Sequence, residues 1–160
     1  MSVTSKTDEV KKEVEKLAET VHSGRQLMTE IVRLLHDRML KYNWVGFYML
    51  EKSQPPTLAL GPFEGAMTPH TRIPLNQGIC GAAASTGKTI VVDDVNSDPR
   101  YLACSIETKS EIVVPIFVNN QVVGELDIDS HFPAAFNHED RQLVEYCAAT
   151  VGKHLENFGA

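Results

Sequence analysis

Two apolar runs, at residues 111–118 and 121–129, constrain this chain more than any other feature. Only Asn119-Asn120 separates them, and asparagine tolerates the left-handed backbone that a two-residue hairpin turn requires. A hairpin turning there brings Glu111, which begins the first strand, to the same open end as Asp127 and Asp129, which finish the second. Asp127 and Asp129 are two residues apart and so project from one face. Acidic residues are uncommon in strands. These have two readings: a solvated strand end, or a negative rim that binds an ammonium group or supplies a proton.

The surrounding sequence supplies partners for such a hairpin. Val10, Val14, Leu17, Ala18 and Val21 recur at helical spacing, and after His22-Ser23-Gly24 a second stripe follows at Leu27, Ile31, Leu34, Leu35 and Met39. Residues 44–50 are aromatic and β-prone; Gln54-Pro55-Pro56 then turns into a strand at 57–60, expected to stop at Gly61-Pro62. A short extended piece at 72–75 leads to a glycine-bounded helix over 78–84, closed by Gly87, and then a strand at 89–92. Residues 93–109 form a long polar connection of the kind that often carries function. Asn137 can cap a last helix whose buried stripe is Leu143, Cys147, Thr150, Val151 and Leu155. This order predicts an α+β domain, with helices packed on one face of an antiparallel sheet.

No repeat or boundary divides the 160 residues, so the expectation is one domain. It comprises N-terminal helices over 1–41, sheet and pocket loops over 42–136, and a C-terminal helix over 137–158. The net charge of −6, with scattered basic residues, argues against a nucleic-acid partner. No apolar stretch is long enough for a membrane helix, and the first residues lack a secretory core, so the expected location is cytoplasmic. Three cysteines are an odd number for an extracellular disulfide framework. In a reducing compartment they serve packing or chemistry.

Position separates the three. Cys80 lies between glycines at a helix opening, where unpaired N–H groups can stabilise a thiolate; the alternative is a small residue packed under a loop. Cys104 falls in the long connection, on no apolar stripe, whereas Cys147 belongs to the core stripe of the last helix. Trp44 and Tyr48 share a strand face, as core or as two walls of a slot for a methyl or thioether group.

In order along the chain stand Asn43-Trp44-Val45-Gly46-Phe47-Tyr48, Leu60-Gly61-Pro62-Phe63-Glu64-Gly65, Gly78-Ile79-Cys80-Gly81-Ala82-Ala83, Ala103-Cys104, Ser110-Glu111-Ile112-Val113-Val114-Pro115-Ile116 and Gly124-Glu125-Leu126-Asp127-Ile128-Asp129-Ser130. Together these segments resemble the free methionine-(R)-sulfoxide reductases, a family of GAF-domain enzymes. The resemblance implies a GAF-like fold, with a ligand pocket on the sheet face opposite the terminal helices. The implied activity is reduction of free L-methionine-(R)-sulfoxide through a sulfenic acid and a disulfide, recycled by a thioredoxin-type reductant. Cys104 matches the family's catalytic cysteine and Cys80 another active-site cysteine. Trp44 and Tyr48 match residues at the substrate's methyl end, and Glu111, Asp127 and Asp129 match the carboxylates around its polar end and sulfoxide. By analogy a homodimer is expected.

This sequence departs from the family at His70, where a third cysteine is usual, and at Ser105, commonly acidic. The first change leaves Cys80 as the resolving thiol. His70, Cys80 and Cys104 match no standard zinc spacing, so no metal or other cofactor is expected. Two alternatives stand beside the enzyme: a non-catalytic GAF sensor, which His70 favours, and an interaction domain dimerising through its terminal helices.

Overall fold

The hairpin forms as its sequence directs. Asn119 and Asn120 both take positive φ, 51° and 65°, and Val118 pairs directly with Gln121. In the computed structural model, which describes residues 5–53, 55–102 and 106–159, strands β5 (Ser110–Val118) and β6 (Gln121–Ser130) flank this turn. Before them come α1 (Lys6–Thr20), α2 (Gly24–Arg38), β1 (Trp44–Glu51), β2 (Thr57–Glu64), β3 (Arg72–Pro74), α3 (Gly78–Thr86) and β4 (Ile90–Val92); α4 (His138–Phe158) follows. The chain thus has the α+β architecture expected, with a six-stranded antiparallel sheet in the order β3-β2-β1-β6-β5-β4.

Polar side chains mark the helix starts. Ser5 and Ser23 cap α1 and α2 by accepting from the N–H groups of Asp8 and Gln26. Asn137 and Asp140 form a reciprocal capping box on α4. One boundary differs from expectation: Gly61-Pro62 does not stop β2, which runs to Glu64. The two residues occupy a register shift opposite Phe47, beyond which Phe63 pairs with Gly46. At such a bulge proline's missing N–H breaks no ladder bond.

Alternation along the central strands divides the molecule in two. Val45 and Phe47 of β1, Ile112, Val114 and Ile116 of β5, and Leu126 and Ile128 of β6 pack against Val10 and Val14 of α1, Leu27, Ile31 and Leu35 of α2, and Leu143, Cys147 and Val151 of α4. Burial pushes the Cys147 thiol up to about 12, so this cysteine is a core residue. The opposite face carries α3, whose Ile79 and Ala83 join Tyr48, Leu58, Ile73, Val92 and Val113 in a second, smaller cluster. Among the described residues, no helix is long and apolar enough to cross a membrane.

Candidate active site

On that second face two ladders, β1–β6 and β5–β6, bring the acidic residues into register. Asp129 lies opposite Trp44 on one side and Glu111 on the other; Asp127 lies between Gly46 and Val113, and Glu125 between Tyr48 and Pro115. Directly paired residues point to the same side of a sheet. The carboxylates therefore form a patch bounded by an aromatic wall on β1. They are not a solvated strand end: Glu111 is 5% exposed, and Asp127 and Asp129 are each 3% exposed.

The aromatic wall is stacked and fixed at its polar tips. Trp44 and Tyr48 have ring centroids 6.2 Å apart, and Phe63 of β2 stacks on Trp44 at 5.7 Å. The Trp44 indole N–H donates to the Ala66 carbonyl at 3.0 Å, and the Tyr48 hydroxyl donates to the His70 carbonyl at 2.7 Å. Gly46, between them on the strand, makes room for this arrangement. A Cβ there would fall 2.3 Å from Cη2 of Trp44, inside the ring's van der Waals surface.

Helix α3 roofs the patch and brings Cys80 over it. The helix lies close because Gly81 has no side chain; a Cβ would meet the Leu75 carbonyl oxygen at 2.7 Å. One ligand-type atom each of Cys80, Glu111 and Asp127 lies within 4.8 Å of the other two. These are the described residues that could hold a metal ion. Together with Tyr48, His70, Ile73, Gly78, Ile79 and Leu102, they line a cavity of about 20 Å³. Among the described residues, no lysine or arginine is part of that wall. A larger hollow, about 690 Å³, is an open groove beside α4 lined by Lys88, Arg141, Glu145 and Lys153, and no cysteine among the described residues contributes to it.

Burial and crowding set the electrostatics. Burial above all, then the charges of Asp127 and Asp129, push the Glu111 carboxyl well above its ordinary range. Burial first and then Asp127 do the same to Asp129 and Glu125, and burial raises Asp127 itself. The Cys80 thiol is also pushed well up, by burial and then by the charges of Asp127, Glu125 and Glu111. The helix opening does form at Gly78 as expected. The carboxylates brought up from β5 and β6 nevertheless make this a setting in which a proton is held rather than shed.

The structure thus assembles Cys80, Glu111, Asp127, Asp129, Trp44 and Tyr48 at one place, with His70 in the wall. Cys104 lies outside the described residues. Sequence reasoning missed Glu125, which is 0% exposed and follows the same alternation as Asp127 and Asp129. The strand period alone could have found it.

Known proteins share this sequence pattern and fold. The GAF domain family matches residues 23–155. The chain is similar to the free methionine-R-sulfoxide reductase of Saccharomyces cerevisiae (strain ATCC 204508 / S288c), 45% identical over 69% of this chain and 62% of the yeast protein. It therefore spans somewhat less than two thirds of that relative. The enzyme of the same name from Escherichia coli (strain K12) is 40% identical over 76% of this chain and 72% of its own. Among solved structures, free methionine-R-sulfoxide reductase from Neisseria meningitidis in complex with its substrate superimposes with a TM-score of 0.89 at 32% identity, covering 99% of this chain and 95% of that one. The fRMsr of Staphylococcus aureus in complex with substrate gives 0.85 at 37% identity, covering 97% and 98%.

Proposed function

The chain belongs to the free methionine-R-sulfoxide reductase family of GAF-domain proteins, and we propose that it reduces free L-methionine-(R)-sulfoxide to methionine. The observation that carries this reading is the burial of Glu111, Asp127 and Asp129 on one sheet face, between the Cys80 helix and the Trp44–Tyr48 wall. A free amino acid offers that patch an ammonium group, which a peptide-bound residue lacks. Each hydrogen bond from such a cation to a desolvated carboxylate contributes about 1.5–3 kcal/mol. The methyl end lies against the aromatic rings. The substrate has about ten non-hydrogen atoms, while a 20 Å³ space takes roughly one water. Binding therefore moves the loop side of the wall, at His70 and Leu102, rather than the strands.

The chemistry follows from the residue types. Thiolate Cys104 attacks the sulfoxide sulfur, and a carboxyl of the Glu111, Asp127 and Asp129 set, protonated because burial raises it, gives its proton to the oxygen. The protonated oxygen passes from the methionine sulfur to the Cys104 sulfur as the bond between the two sulfurs breaks, so methionine departs and Cys104 is left as a sulfenic acid. Cys80 condenses with it to a disulfide, releasing water, and exchange with a thioredoxin-type dithiol restores both thiols.

One observation favours a second reading. His70, in the place of the family's third cysteine, lines the cavity, and a sensor that kept the pocket but lost turnover would need no thiol there. A reductant-coupled assay on free and peptide-bound methionine sulfoxide, each epimer separately, divides the two. The reductase consumes only the free R epimer; a protein that binds it and releases no methionine is the sensor.

A further inference from the structure

The cavity under α3 collects a thiol and two carboxyls from three separate elements. Cys80 of α3 meets Glu111 of β5 and Asp127 of β6, and one ligand-type atom of each lies within 4.8 Å of the other two. All three are buried, at 6%, 5% and 3% exposure. Asp127 lines the cavity, yet its Oδ1 is closed off from solvent and has no hydrogen-bond partner among the described residues. A carboxylate oxygen buried in this way costs stability unless a positive group meets it. Among the described residues of the wall, no lysine or arginine does so.

Size and donor type together select what can. The cavity is about 20 Å³, room for roughly one water, which suits a single ion better than an amino acid. Magnesium and calcium take shells of about six to eight oxygens and have no use for a thiolate. Zinc takes sulfur and carboxylate oxygen together. Its bonds of about 2.3 Å to sulfur and about 2.0–2.2 Å to oxygen place neighbouring ligand atoms of a tetrahedron roughly 3.5 Å apart. The three side chains reach that spacing by shifts of about an ångström or less, with a fourth position left for water. Their distance from one another along the chain hides the set from any rule of ligand spacing.

We propose that Cys80, Glu111 and Asp127 bind a single zinc-type divalent cation, and that the bound ion shuts the site to methionine sulfoxide. The exclusion, unlike the binding, rests on the reductase reading. The ion occupies carboxylates that would receive the ammonium group, and it ties up the thiol that would close the disulfide. Binding releases the Cys80 proton, because the thiolate is the ligand, and chelation reverses it.

Cobalt(II) is the probe, because it takes zinc's place and its spectrum reports its ligands. One equivalent, added to the reduced, metal-free chain, gives a near-ultraviolet thiolate-to-cobalt charge-transfer band, and one equivalent of zinc abolishes the band by displacing the cobalt. Cys80→Ser loses the band, while Cys147→Ala keeps it. Asp127→Asn and Glu111→Gln keep the band but weaken cobalt binding by at least about tenfold, since even an outer partner of a metal site is worth that much. Zinc at one equivalent suppresses methionine release in a single turnover of the parent, and a chelator restores it. Absence of the band, a band that survives Cys80→Ser, or unchanged affinity in both amide variants overturns the site. Full methionine release from the zinc-loaded parent overturns the exclusion. If the metal-free parent releases no methionine, the reductase reading fails and the exclusion with it, while the cobalt spectrum still decides the site.

Discussion

Strand β6 presents two surfaces built from one alternating sequence. Leu126 and Ile128 face three helices within an apolar cluster, while Glu125, Asp127 and Asp129 face α3, each with at least one carboxyl oxygen that has no hydrogen-bond partner among the described residues. Both sets are almost completely buried. The difference lies in what burial does: the helix side gains from every methylene removed from water, whereas the α3 side holds desolvated acids close together. A fold that tolerates the second surface does so because the first is large and well packed. Stability and chemistry are thus separated by a single residue step along one strand.

Truncating the helix side breaks this division most severely. Leu126→Ala removes a fully buried side chain and is expected to cost about 2–5 kcal/mol of unfolding free energy. Denaturant titration measures that loss, and activity per folded molecule at low temperature stays near that of the parent.

On the α3 side the signs reverse. Changing Glu111, Asp127 or Asp129 to its amide lowers activity by roughly ten- to a hundredfold, the value of a hydrogen bond to a charged group. The same variants melt at higher temperature than the parent. Each carboxyl binds its proton more tightly in the folded chain than in the unfolded one, because burial raises it. Stability is therefore fully present below the ordinary carboxylate range and is lost as pH rises through the raised folded values. The stabilising effect of the amides should accordingly grow with pH across that window, as scanning calorimetry would show. Amide variants that melt lower at every pH would contradict the comparison.

Gly46→Ala is subtler, because it touches only the wall. The added methyl displaces the Trp44 ring, with an expected cost of about 1–3 kcal/mol for overpacking. A rise in KM greater than the fall in kcat would place its effect on substrate rather than on the thiols. Smallest is Cys147→Ala, which removes one buried sulfur from the helix-side core. It is expected to lower stability by about 1 kcal/mol and to leave turnover unchanged.

How much of this was legible beforehand follows the same division. The hairpin, the helical stripes and the placement of Glu111, Asp127 and Asp129 at one end follow from local periodicity and turn chemistry, which need no distant partner. The end of β2 was not legible, because Gly61-Pro62 is accommodated by a bulge opposite Phe47. Nor was the thiol environment of Cys80. Its helix opening is local, but the carboxylates that dominate it arrive from strands more than thirty residues later in the chain. Glu125 was overlooked among apolar neighbours, although its parity matched that of the aspartates.

The central claim is that the acidic face recognises the free amino-acid end of methionine sulfoxide, and ligand-induced stabilisation of a turnover-blocked Cys104→Ser variant tests it most directly. Free L-methionine-(R)-sulfoxide at about a hundred times its Kd should add about 2.7 kcal/mol to the unfolding free energy. The N-acetylated compound, which lacks the ammonium group, should add almost nothing, and Asp127→Asn in the same background should weaken the effect of the free compound. Equal stabilisation by the free and acetylated compounds would contradict the account.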